Sequence, residues 1–97
     1  MKLNIKGAKY KVIYKKLEGK HGECDLSKKI IYIDTSKNTQ GKMHRVTFWH
    51  ELTHAYLNEM YIGDLIPIEL EEILCETVAN MIEDHFNLIA CMDYGSD

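Results

Sequence analysis

The stretch FWHELTHAYL, residues 48–57, decides how the rest of the chain is interpreted. It contains the pattern His-Glu-x-x-His, in which His50 and His54 are four residues apart. On a helix this spacing places both imidazoles on one face, where their nitrogens can converge on one ion. Apolar residues recur at three- and four-residue steps on either side, which predicts a helix from about residue 40 to about residue 62.

The two histidines interrupt the apolar face of this helix. Met43, Val46 and Leu57 lie on that face, where a purely structural helix would carry Leu or Ile instead of histidine. Burying two imidazoles without partners is unfavourable, and a metal ion satisfies both of them. Glu51 follows His50 at the edge of the same face. There it can reach a water on the metal as a general base without ligating the ion.

A downstream helix offers the third ligand that such a site needs. Gly63 is a stop signal and Pro67 suits a helix start, which predicts a second helix from about residue 67 to about residue 90. This helix carries Glu72 and Glu76, four residues apart on one face. At about 1.5 Å per residue, His54, Glu72 and Glu76 lie about 12, 8 and 14 Å from the connection. Both carboxylates can therefore reach the ion, and geometry alone does not choose between them.

Two plainer explanations compete with the metal site. A chain with five histidines forms the pattern by chance at a frequency of roughly a few per cent. Buried histidines also hydrogen-bond to backbone groups, and acids such as Glu69, Glu71 and Glu83 are typical of a solvated helix face. The pair Glu72 and Glu76 is flanked by apolar residues and borders the core, which favours a role at the metal.

The segment before the first helix predicts a small sheet. Residues 8–17 (AKYKVIYKKL) and 30–35 (IIYIDT) are rich in β-branched and aromatic residues, and residues 23–26 (ECDL) form a short strand between turn signals. We expect an antiparallel three-stranded β-meander over about residues 8–34, followed by two packed helices. The fold class is α+β in the order β-β-β-α-α, within a single domain over residues 1–97.

Periodicity also predicts the ends and the buried face of the helices. Asn38 or Thr39 can cap the first helix, and residues 91–97 form a loose tail. The predicted apolar stripe of the second helix consists of Leu70, Ile73, Leu74, Val78, Met81, Ile82 and Phe86.

Length and composition place the chain among soluble globular domains. With 97 residues, of which 45% are hydrophobic, it buries a modest core and gains from a metal or a partner. The polar start MKLNIKGAKYKV differs from a signal peptide and no apolar run spans a membrane, so we expect a cytoplasmic protein without a membrane partner. The three cysteines, Cys24, Cys75 and Cys91, form no Cys-x-x-Cys pair, and Cys75 is expected to be buried.

Charge is divided unevenly along the chain. All 12 Lys and Arg lie in residues 1–45 beside four acids, whereas residues 46–97 carry the other 11 acids and no base. A basic half of this kind can contact nucleic acid or an acidic partner, but no aromatic-basic motif accompanies it. We therefore expect lysine-rich strands that face solvent, and do not expect a nucleic-acid partner.

Two segments together resemble a known family. HELTHAYL at residues 50–57, followed by EEILCETVAN at residues 71–80, is similar to the minimal gluzincin-type metallopeptidases common in phages and mobile elements. These are relatives of the ImmA/IrrE-type family. The segment GECDLSKKIIYID at residues 22–34 also matches their layout, so the resemblance extends from about residue 9 to about residue 89.

The resemblance implies a minimal zincin core and assigns roles to five residues. Zinc is held by His50, His54 and Glu72, Glu51 is the catalytic base, and Glu76 is the acid that orients a ligand histidine. Glu76 stands where the family has Asp. Its longer side chain can reach the metal, which would exchange the roles of Glu72 and Glu76.

The implied function is zinc-dependent hydrolysis of peptide bonds in a protein substrate, such as a regulator or a host factor. Two His and one Glu leave a fourth zinc position open for water. No residue matches the Tyr or His that supports the oxyanion in larger members, and Tyr56, Tyr61 and His85 are candidates. The alternative is a zinc-stapled protein-binding module without proteolytic activity, which the small size favours. The presence of Glu51 favours the enzyme, because a structural site needs no general base.

Overall fold

A four-stranded sheet precedes two packed helices along the chain, so the predicted α+β class is confirmed at this level. The computed structural model describes residues 1–35 and 41–91, the side chains of residues 87–91 excepted. Its elements are β1 (Lys2–Ile5), β2 (Ala8–Lys15), β3 (Gly22–Asp25), β4 (Ile30–Asp34), α1 (Lys42–Glu59), a short 3₁₀ helix (Gly63–Leu65) and α2 (Ile68–Cys91).

The sheet is mixed, which corrects the predicted three-stranded antiparallel meander. The strand order is β1-β2-β4-β3, in which β2 and β4 run parallel and the two outer pairs are antiparallel. β4 takes a central place, with Ile31 and Ile33 only 0% and 1% exposed. Composition predicts that these segments pair, but the choice of neighbours depends on how the connections cross in three dimensions.

The strand β1 was not predicted, and it reaches β2 through a tight hairpin. Lys6 and Gly7 form the two-residue loop between the paired residues Ile5 and Ala8. Both loop residues have positive φ, at 52° and 90°, which is the conformation of a type I′ turn. Lysine is uncommon in that region of φ, so this hairpin is not evident from the sequence.

The core lies between one face of the sheet and α1. It consists of Ile5, Tyr10, Val12, Ile31, Ile33 and Ala55. Burying each of the larger side chains stabilises the fold by about 1.5–3 kcal/mol. α1 therefore lies between the sheet and α2, and α2 packs chiefly against α1.

The buried face of α2 differs from the predicted apolar stripe. Ile73 and Met81 are 62% and 55% exposed, whereas Cys75 and Ala79 are fully buried. Glu71, expected on a solvated face, lies on the same buried side and is 8% exposed. The apolar periodicity predicted the wrong face of α2, because the charged residue Glu71 occupies a buried position that faces α1.

Two predicted features at the helix ends fall outside the described residues. The caps Asn38 and Thr39 are among them, as are residues 92–97 of the predicted tail. α1 begins directly after Gly41, whose φ of 68° suits glycine, and Cys91 is the last residue of α2.

Candidate metal centre

His50 and His54 lie one turn apart on the side of α1 that faces α2. Their ring centroids are 5.0 Å apart, and their side chains are only 16% and 11% exposed. Helical spacing placed them on one face, and the packing of α2 shields that face from water.

The carboxylate of Glu72 on α2 reaches both histidines. Its Oε2 lies 3.2 Å from His50 Nε2, and its Oε1 lies 2.9 Å from His54 Nε2. The donor atoms of these three residues all lie within 4.8 Å of one another. The structure thus brings together the three residues that the sequence suggested as zinc ligands.

The hydrogen-bond partners of the two Nδ1 atoms determine whether the Nε2 atoms can bind a cation. His50 Nδ1 lies 2.9 Å from Glu76 Oε1, and His54 Nδ1 lies 2.5 Å from Glu71 Oε2. A neutral imidazole has one N–H, so donation from both Nδ1 atoms turns the two Nε2 lone pairs toward the Glu72 carboxylate. A cation between these lone pairs removes their repulsion, and the donor set of two imidazoles and one carboxylate fits zinc.

The distances between donor atoms distinguish the position between the two Nε2 atoms from a second possible metal position. Two donors about 2.0–2.1 Å from a tetrahedral zinc lie about 3.4 Å apart. The two contacts of Glu72, at 3.2 and 2.9 Å, approach that value. His54, Glu71 and Cys75 also place donor atoms within 4.8 Å of one another, but the 2.5 Å between His54 Nδ1 and Glu71 Oε2 departs further from the separation of two zinc ligands. The Nε2 side of the histidines is therefore the better metal position.

Glu51 lies beside the histidines and faces the sheet. Its residue is 9% exposed, and burial raises the pKa of its carboxyl above the ordinary value. Two neighbouring clefts of about 220 and 360 Å³ share Glu51, His50 and Gly22 in their walls. A buried carboxylate with a raised pKa that opens onto clefts is suited to accept and return a proton.

Gly22, the first residue of β3, allows the sheet to approach α1 at Glu51. A Cβ on Gly22 would lie 2.6 Å from Thr47 Cγ2 and 3.1 Å from Glu51 Cγ. The sequence suggested a turn at this position. Instead, Gly22 lies in a strand, and its lack of a side chain allows β3 to pack closely against α1.

Sequence reasoning missed Glu71, whose burial depends on the packing of α2. The side chain of Glu76, in contrast, is 60% exposed. Among the described residues, the hydrogen-bond partner of its carboxylate is His50 Nδ1. The contacts of Glu72 with both Nε2 atoms favour Glu72 over Glu76 as the third ligand.

The candidates for supporting an oxyanion lie away from the clefts. Tyr56 and Tyr61 are 39% and 81% exposed, and neither they nor His85 lines either cleft beside Glu51. His21, just before β3, does line the smaller cleft together with His50 and Glu51.

The described cysteines are poor nucleophiles. Burial and nearby carboxylates raise the pKa of both Cys24 and Cys75 to about 12. Cys75 is fully buried, as predicted. Since the thiolate is the reactive form of cysteine, the raised pKa disfavours either thiol as a nucleophile.

Comparison of the chain with protein-family models, with curated proteins and with solved structures returned no match. Within residues 1–35 and 41–91, neither helix combines the length and hydropathy required to cross a membrane.

Proposed function

We propose that this protein is a zinc-dependent metallopeptidase that hydrolyses peptide bonds in a protein substrate. The observation that carries the proposal is the convergence of His50 Nε2 and His54 Nε2 on the two oxygens of Glu72. Glu51 lies beside the three proposed ligands and is not one of them, so it can act as a base without binding the metal.

The chain's own residues divide the chemistry between them. Zinc held by His50, His54 and Glu72 would supply a Lewis acid that acidifies a water and polarises a substrate carbonyl. Glu51 accepts the proton of the attacking water and returns it to the leaving amine. Glu76 holds His50 from its Nδ1 side, which leaves Nε2 directed at the centre.

The surroundings of Glu51 suit an extended peptide. β3 is an outer strand of the sheet and pairs with β4 on one side. Its first residue, Gly22, lines both clefts beside Glu51. An extended segment can add to such an edge through main-chain hydrogen bonds, which would place its carbonyls near the base.

Metal content of the purified, untagged protein tests the centre first. We expect about one zinc per wild-type chain by mass spectrometry, and much less in His50→Ala and Glu72→Ala, because loss of one of three ligands weakens binding. Glu69→Ala is the matched control, since Glu69 is an exposed acid in the first turn of the same helix. Wild-type protein that takes up no zinc even when zinc is added would contradict the proposal.

Peptide hydrolysis tests the role of Glu51. The zinc-loaded protein is incubated with a peptide library from a digested proteome, and new termini are identified by mass spectrometry. Glu51→Gln should lower cleavage by about 10²–10⁴-fold because it removes the general base, with zinc content unchanged. Equal cleavage by wild type and Glu51→Gln would exclude this mechanism.

A zinc-stapled binding module is the second candidate function. It is favoured by α2, which packs chiefly against α1 and exposes Leu70, Ile73 and Met81 to solvent. In that case zinc holds α2 in place and the exposed apolar residues contact a protein. A biological effect that survives Glu51→Gln but not Ile73→Asp, with zinc content intact in both, would select the module.

A further inference from the structure

The carboxylate of Glu71 is enclosed in a way that its neighbours on α2 are not. The Glu71 residue is 8% exposed, whereas the side chains of Glu72 and Glu76 are 53% and 60% exposed. Its Oε2 lies 2.5 Å from His54 Nδ1. Its Oε1 lies against Gly63, where an added Cβ would be only 3.3 Å away.

Burying a carboxylate is strongly unfavourable unless it accepts short, charge-assisted hydrogen bonds. The contact with His54 Nδ1 meets that requirement only if this nitrogen carries the proton. A proton on Nδ1 leaves the lone pair of the neutral ring on Nε2, the atom that lies 2.9 Å from Glu72.

We propose that Glu71 is a positioning residue that fixes the tautomer and the ring orientation of His54. It holds the proton on Nδ1 and thereby keeps the lone pair of Nε2 available to ligate a cation beside Glu72. The consequence for metal binding rests on the proposed zinc centre, but the tautomer is a property of the chain alone.

The two histidines are held by carboxylates of the same helix, with unequal access to water. Water can replace Glu76 at His50, because the Glu76 side chain is largely exposed. Water has little access to Glu71 and His54, which are 8% and 9% exposed. Water therefore replaces Glu71 at His54 Nδ1 less readily than it replaces Glu76 at His50, so the effect of losing Glu71 should exceed that of losing Glu76.

The first measurement reads the ring nitrogens of His54 in metal-free protein. Isotope-labelled histidine and long-range proton–nitrogen NMR correlations distinguish the two neutral tautomers, and His54→Gln assigns the signals. At a pH where the ring is neutral, we expect the Nδ1–H tautomer in wild type and a shift toward Nε2–H in Glu71→Ala. An Nε2–H tautomer in wild type would overturn the proposal.

The second measurement is zinc affinity by competition with a chelator. Glu71→Ala removes the hydrogen-bond acceptor, and circular dichroism checks that the fold is retained. We expect it to weaken zinc binding by about 10–100-fold, more than Glu76→Ala, while Glu69→Ala leaves the affinity unchanged. An affinity for Glu71→Ala within two-fold of wild type, alongside loss of zinc in His50→Ala, would reject the role of Glu71 and retain the zinc centre. Wild type that binds no zinc, with His54 still shifting its tautomer in Glu71→Ala, would reject the zinc centre and retain the role of Glu71.

Discussion

At Gly22 the backbone of β3 passes so close to α1 that a hydrogen atom is the only side chain that fits. The atoms nearest to a methyl group at this position would belong to Thr47 and Glu51, and the latter is the proposed base. The position of the Glu51 carboxylate thus depends on a residue that has no side chain.

Gly22→Ala should lower the free energy of unfolding by about 1–3 kcal/mol, because the added methyl overpacks the contact between β3 and α1. Cleavage activity should fall as well, since the strand or the Glu51 side chain must shift. Chemical denaturation measures the stability change.

Thr47→Ser provides the matched partner variant. It removes Cγ2, the atom that lies 2.6 Å from the added Cβ. The double variant Gly22→Ala with Thr47→Ser should recover part of the lost stability, giving a non-additive pair. Strict additivity of the two single effects would argue against the close contact.

At the scale of elements, the C-terminal end of α1 is tied to the sheet by a polar cluster. Glu59 Oε2 accepts hydrogen bonds from Lys29 Nζ at 2.6 Å and from the Tyr10 hydroxyl at 2.7 Å. The ammonium of Lys29, followed by the Tyr10 hydroxyl, holds the pKa of Glu59 below its ordinary value. Burial together with Glu59 raises the pKa of Tyr10 to about 12, so its hydroxyl remains a donor at neutral pH.

The depressed pKa of Glu59 predicts how stability depends on pH. The contribution is complete above the pKa of glutamate in the unfolded chain, about 4.3. It is lost as the pH falls from there through the lower pKa of the folded state. Glu59→Gln should therefore lower the Tm at pH 7, and the difference from wild type should narrow as the pH falls below about 4.3.

Thermal unfolding followed by circular dichroism across that pH range measures the effect. Glu69→Gln is a suitable control, because Glu69 is exposed and far from this cluster in the chain. A Tm difference for Glu59→Gln that stays constant with pH would mean that the charge of Glu59 contributes nothing.

At the scale of the whole molecule, the proposed metal would join α1, which packs on the sheet, to α2. α2 packs chiefly against α1, and the histidines on α1 meet Glu71, Glu72 and Glu76 on α2. Arg45 adds one ion pair to Glu83 at 2.8 Å, with Arg45 46% exposed at its side chain. The Glu83 side chain is only 9% exposed, and Arg45 donates hydrogen bonds to both of its oxygens, so this pair also ties α2 to α1. If zinc binds as proposed, its ligands on both helices should strengthen the docking of α2 on α1.

Removal of zinc should therefore destabilise the whole protein. Free zinc at about 100 times its Kd stabilises the folded state by about 2.7 kcal/mol. A chelator should lower the Tm of wild type and leave that of His50→Ala unchanged, since the variant holds no zinc to lose. An equal response of both proteins to the chelator would show that the effect does not arise at this site.

The sequence by itself determined the local parts of this description. Helical spacing placed His50 and His54 on one face, and the same spacing placed Glu72 and Glu76 on the next helix. Strand composition identified β2, β3 and β4, and the burial of Cys75 followed from its apolar neighbourhood. These features follow from periodicities of a few residues, which each segment carries independently of the rest of the chain.

Only the tertiary structure decided the features that depend on which segments meet. It paired β2 with β4 in parallel, chose Glu72 as the carboxylate between the two Nε2 atoms, and buried Glu71 against His54. It also brought Gly22 against Glu51. Strand order and the rotation of α2 about its axis are set by the packing of distant residues. A charged residue such as Glu71 can be buried when a partner from another helix compensates for its desolvation.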